Sequence, residues 1–123
     1  MRTWLLVGIG GFAGSILRYA FSRWISEQTS GSFPWGTLAV NLAGCLLIGL
    51  FWGISERFEW FGTGFRMTFI VGLCGGFTTF STFSGDALKL FQSGAFLPFL
   101  LYVFGSVLIG ICFTLAGWRL VAP

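Results

Sequence analysis

Leu90–Trp118 reads LFQSGAFLPFLLYVFGSVLIGICFTLAGW, 29 residues without a charge. A helix needs about 20 largely apolar residues to cross the hydrocarbon core of a bilayer, and this run exceeds that length. Three further uncharged runs precede it: Thr3–Leu17, Gln28–Ser55 and Met67–Gly85, of 15, 28 and 19 residues. Of the 123 residues, 55% are apolar and only 9% charged, whereas a soluble domain carries about 25% charged residues. The mean hydropathy of +0.86 is too high for a water-facing surface. A soluble enzyme, a secreted disulfide scaffold and a disordered tail are thereby excluded. The expectation is an all-α membrane protein, a single domain over residues 1–123 with spans at about 3–25, 35–55, 65–88 and 96–118.

The net charge is +3, but the seven basic residues are scattered along the chain. A nucleic-acid binder gathers them on one face, so no nucleic-acid partner is expected and the excess suits membrane flanks. Arg2 and the apolar stretch after it resemble a signal peptide, but no plausible cleavage site precedes the remaining spans, so a retained first span is expected. Cys45, Cys74 and Cys112 all fall inside spans, no CxxC occurs and there is no histidine. Apolar packing is therefore the better reading of the cysteines than a disulfide framework or a zinc site.

The third span changes character at its middle. Gly72, Gly75 and Gly76 are followed by Thr78-Thr79-Phe80-Ser81-Thr82-Phe83-Ser84. Three glycines and then five hydroxyl residues make a poor continuous helix. A break near Gly75–Thr79 is expected, with Gly75 in backbone that must bend, and Asp86 and Lys89 at the far end of the span. Gly10/Gly14, Gly49/Gly53 and Gly72/Gly76 are GxxxG pairs, which permit close helix approach. Gly8, Gly10 and Ala13 fit a dinucleotide fingerprint, but that reading requires a βαβ unit this chain lacks.

With the N-terminus inside, Arg2, Arg57, Arg66 and Arg119 lie inside and Arg18, Arg23 and Lys89 outside. Four against three is almost no bias, and that bias sets orientation. Weak orientation or insertion in both directions follows. Four thin helices cannot enclose a polar pathway alone, so a dimer, antiparallel in one version, is expected.

Four polar features sit at membrane depth. Arg18 is either a snorkelling arginine or an anion-attracting charge at a vestibule. Asn41, an amide in an apolar span, is either interhelical glue or a pathway lining. Phe80 and Phe83 stand at i and i+3, as do Ser81 and Ser84. Positive ring edges and hydroxyl donors suit a small hydrated anion, while core phenylalanines with back-bonding hydroxyls are the alternative. At the break, freed carbonyls can coordinate a monovalent cation without acidic residues. Enzymatic readings fail, because no histidine, no carboxylate pair within a span and no base near Ser81 or Ser84 is present.

Gly75-Gly76-Phe77-Thr78-Thr79-Phe80-Ser81-Thr82-Phe83-Ser84 resembles the Fluc/CrcB fluoride channel family. So do Gly36-Thr37-Leu38-Ala39-Val40-Asn41-Leu42-Ala43-Gly44 and Gly10-Gly11-Phe12-Ala13-Gly14 with Leu17-Arg18-Tyr19. The resemblance covers essentially the whole chain. It implies a dual-topology, antiparallel homodimer in the cell (inner) membrane, with two fluoride pathways releasing cytoplasmic fluoride passively. By motif position it makes Phe80 and Phe83 the pore phenylalanines, with Asn41 on the same pathway and Ser81, Thr82 and Ser84 in the polar stretch beside them. Tyr102 and Ser106 would face a polar track, which Gly110 interrupts by lacking a hydroxyl. Gly75 and Thr78 would hold a central structural sodium ion through backbone carbonyls. The rivals are a small multidrug-type proton-coupled exporter, which needs a carboxylate deep in a span, and a noncatalytic subunit of a larger membrane complex. The carboxylates Glu27, Glu56, Glu59 and Asp86 fall at span ends on this reading.

Overall fold

The computed structural model describes residues 1–123 and is entirely helical. Helix α1 is Arg2–Gln28 and α2 is Trp35–Arg57. Helix α3 covers residues 63–77, of which Arg66–Cys74 is wound as a π-helix, a winding seldom longer than one turn. Thr78 and Thr79 are extended, with φ/ψ of −88°/157° and −149°/118°. Helix α4 then runs over Phe80–Gln92 and α5 over Phe96–Val121. With 63–92 taken as one crossing, four helical segments are long and apolar enough to span a membrane.

The helix ends differ from the sequence boundaries for local reasons. Helix α1 continues through Glu27 because Arg23 Nε bonds Glu27 Oε1 at 2.9 Å one turn away. It stops where the Thr29 hydroxyl donates to the Ile25 carbonyl at 3.1 Å. Asp86 and Lys89 do not mark an end; both lie inside α4, which closes at Gln92 before Gly94 takes a left-handed φ of +78°. The extended backbone is also narrower than the expected interval. Gly75–Phe77 is α-helical, and only Thr78 and Thr79 leave the helix.

Helix α2 packs most extensively against α5, and α1 against α3. Both seams are built on glycine. A Cβ at Gly72 would lie 2.7 Å from the Val7 carbonyl oxygen, and one at Gly53 would lie 2.9 Å from that of Trp118. Gly10, Gly14, Gly49 and Gly76 likewise leave no room for a side chain against a facing backbone. All three GxxxG pairs therefore sit at real helix contacts. In lipid such contacts depend on van der Waals fit, since hydrocarbon gives apolar side chains no reason to leave it. Only 18 of the 123 residues are buried. Trp4, Ile9, Phe12 and Trp24 of α1, and Leu101, Phe104 and Leu108 of α5, are exposed apolar side chains that suit a lipid surround. The cysteines are unpaired: Cys74 is buried, Cys45 half-buried, and Cys112 turns outward rather than packing inside.

Candidate functional site: a groove at the interruption of the third span

Asn41 of α2 binds the backbone at the interruption on both sides of its amide. Its Nδ2 donates to the Thr79 carbonyl at 3.0 Å, and its Oδ1 accepts from the Thr79 N–H at 2.9 Å. One side chain thus satisfies both backbone groups of an extended residue that has no strand to pair with. The Thr79 hydroxyl in turn accepts from the Thr82 N–H at 3.2 Å and caps α4, as threonine does at helix starts. On the other side, Thr78 donates its N–H at 3.0 Å and its hydroxyl at 2.8 Å to the Cys74 carbonyl. The Thr79 N–H, which would reach the Gly75 carbonyl in a continuous helix, bonds Asn41 instead, and no backbone donor reaches the Thr78 carbonyl. Asn41 ties α2 to Thr79 and also borders the adjacent groove.

That groove has a volume of about 590 Å³ and no charged residue on its walls. Asn41, Gly75, Thr78, Phe80, Phe83 and Ser106 line it. Phe80, the first residue of α4, leaves 80% of its surface exposed. Its ring centroid lies 5.7 Å from that of Phe83 at 41°. Phe83 then leans on Tyr102, 5.0 Å away, and Tyr102 is 1% exposed. The hydroxyls of Tyr102 and Ser106 are buried without a hydrogen-bond partner. Unsatisfied buried hydroxyls are costly; that of Ser106 lies on the groove wall with Phe80 and Phe83, whereas Tyr102 does not line the groove. Gly75 faces open space and has ordinary helical dihedrals, φ −63° and ψ −39°. The expectation that Gly75 must bend the backbone is therefore corrected: the backbone there is plain helix, and a Cβ would meet nothing within 4 Å.

The remaining candidates separate. Arg18 is half-buried and makes no ion pair or hydrogen bond. It lines a second, polar cavity of about 320 Å³ with Ser22, Arg23, Thr37, Thr79 and Thr82. Thr79 borders both cavities, so the interruption lies between the guanidinium and the phenylalanines. Ser81 and Ser84 are exposed and line neither cavity.

Three features were not anticipated. Thr37 donates to Asp86 Oδ2 at 2.8 Å and fastens α2 to α4. Asp86 is half-buried rather than a terminal charge. Glu56 joins α2 to α5 by accepting from the indoles of Trp52 at 2.9 Å and Trp118 at 2.7 Å. A threonine in the polar opening of the second span was the available signal for Thr37; nothing local marked Glu56.

The chain is similar to known proteins along almost its whole length. The family model described as CrcB-like protein, Camphor Resistance (CrcB), matches residues 5–118. A protein of Phocaeicola vulgatus named fluoride-specific ion channel FluC is 45% identical over 117 residues, covering 95% of this chain and 96% of the relative. One of that name from Leptospira interrogans is 44% identical over 116 residues, covering 94% and 91%. Another, from Thermus thermophilus, is 43% identical over 120 residues, covering 98% and 94%. Four spans make this a multi-pass membrane protein, placed in bacteria in the inner membrane. Since the match takes in both glycine seams, Asn41 and the whole interrupted third span, the chain belongs to the CrcB family.

Proposed function

We propose that the protein is a fluoride-selective channel, not an enzyme, that lets fluoride leave the cytoplasm passively and so limits its toxicity. The observation that carries this reading is the uncharged groove whose walls bring Phe80 and Phe83 together with Asn41 and the unpartnered hydroxyl of Ser106. A fluoride ion needs its hydration shell replaced without a binding site so deep that it cannot leave. Ring edges and neutral donors meet both demands, and Arg18 draws anions toward the interruption from the other side. Thr82 lines the same cavity as Arg18 on that approach, and Ser81, Ser84 and Tyr102, which line neither cavity of one protomer, are assigned to the polar stretch by motif position alone. Purified protein in liposomes, followed with a fluoride electrode, should release fluoride and retain chloride. Equal release of both, or of neither, would remove the proposal.

The functional unit is proposed to be an antiparallel, dual-topology homodimer. One protomer leaves Phe80 and the whole groove uncovered, and the four-to-three charge balance sets no preferred orientation. A structural sodium ion at the dimer centre completes the proposal. The carbonyls of Gly75 and Thr78 fit such an ion in kind: they are oxygen donors without backbone partners, on an open groove with no carboxylate. When bound, the ion would supply a fixed positive centre between the protomers and would not itself be transported. Gly75→Val should leave the protomer folded, because a side chain there meets nothing within 4 Å. It should nevertheless abolish dimerisation and flux, measured by light scattering in detergent and by the fluoride electrode. A dimer of normal stability in Gly75→Val, unaffected by replacing sodium with a much larger monovalent cation, would count against both the interface and the ion.

A further inference from the structure

A second groove, of about 730 Å³, follows the seam between α2 and α5. It shares Cys45, Ser106 and Val107 with the phenylalanine groove, so one open surface runs from the interruption along the seam. On α5 it carries Ser106, Gly110 and Thr114, each one helical turn beyond the last. The seam ends at Glu56, the only charged residue on the walls of either groove.

Two observations set Glu56 apart from an ordinary surface acid. It lies in the last turn of α2, where the helix dipole disfavours a negative charge. Its two oxygens are each held by a different indole, Trp52 from α2 and Trp118 from α5. The carboxylate is thus pinned at one point of the rim instead of swinging into water. A fixed negative charge beside an anion pathway lowers the local concentration of anions by a Boltzmann factor. That factor applies once to a monovalent ion and is squared for a divalent one.

We propose that Glu56 is a rim charge that excludes multivalent oxyanions, such as sulfate and hydrogen phosphate, from the seam, while slowing fluoride entry by a smaller factor. This rests on the fluoride-channel reading. Trp52 and Trp118 are positioning residues that hold the charge in place.

The test uses reconstituted full-length protein and the fluoride electrode, with sulfate as the oxyanion probe. In the unmodified protein, fluoride flux at a fixed gradient should rise about two- to threefold between roughly 10 mM and 0.5 M of an inert monovalent salt, as screening removes the rim field. Glu56→Gln should already show the higher flux at low salt and lose the salt dependence. Glu56→Lys should exceed it, at about fivefold over the unmodified protein. Excess sulfate should slow both variants more than it slows the unmodified protein. Trp118→Phe, which keeps the charge but frees one of its oxygens, should show a low-salt gain smaller than that of Glu56→Gln and retain a salt dependence. A flat salt dependence in the unmodified protein, or variants no faster and no more sulfate-sensitive at low salt, would overturn the assignment. Absence of any fluoride flux from the unmodified protein would instead remove the channel reading beneath it.

Discussion

Phe80→Ile and Phe83→Ile are each expected to cut fluoride flux sharply, by up to about tenfold, while leaving protein yield and dimer content unchanged. Isoleucine matches phenylalanine in hydrophobicity but has no ring edge to turn toward an anion. An aromatic contact is worth about 0.5–1.5 kcal/mol, and about 1.4 kcal/mol at the barrier is a factor of ten. The effect at Phe80 should be nearly pure, since its ring is 80% exposed and little protomer packing is lost with it. Phe83 also supports Tyr102 at 5.0 Å, so its replacement should add a modest fall in thermal stability. Near-normal flux in both variants, read by the electrode with chloride as control, would falsify the aromatic lining.

The second large effect is expected at Asn41. Asn41→Leu removes both partners of Thr79, leaving an N–H and a carbonyl unsatisfied at membrane depth. Each such group costs about 1–3 kcal/mol, and hydrocarbon offers no water to relieve it. The interruption should then lose its fixed geometry, and with it the orientation of the capped first turn of α4 that carries Phe80. Flux should fall to background, and the Thr79 amide should exchange with deuterium far faster than in the parent. Asn41→Asp keeps the acceptor for the Thr79 N–H and loses the donor to its carbonyl at neutral pH, so exchange at Thr79 should be intermediate. An Asn41→Leu protein with a still-protected Thr79 amide would show that the bracket does not hold the interruption.

These two sites differ in how far local sequence could reveal them. Phe80 and Phe83 are legible at i and i+3, because helical spacing alone places them on one face. The glycine pairs are legible for a similar reason: a missing Cβ is a statement about how near another backbone can come. Gly72/Gly76 and Gly49/Gly53 both occupy contacts of that kind. Sequence alone leaves Asn41 open between glue and lining, because an amide states what it can bond and not where its partner lies. The conformation of Gly75 is not legible locally, since glycine content suggests bending while the backbone there is plain helix.

Sequence by itself determined that this is a helical, four-span membrane protein of the CrcB family, because span length is set by bilayer thickness and an uncharged run is counted without knowing its neighbours. Only the tertiary structure decided which polar groups meet. Asn41 finds Thr79 across 38 residues, Thr37 finds Asp86 across 49, and Glu56 finds Trp118 across 62. Each of these bonds depends on the rotation and depth at which two helices settle. For Glu56 and Trp118 those are fixed by the close packing of glycine against backbone along the seam between α2 and α5, and hydrophobic periodicity within a single helix carries no record of any of the three.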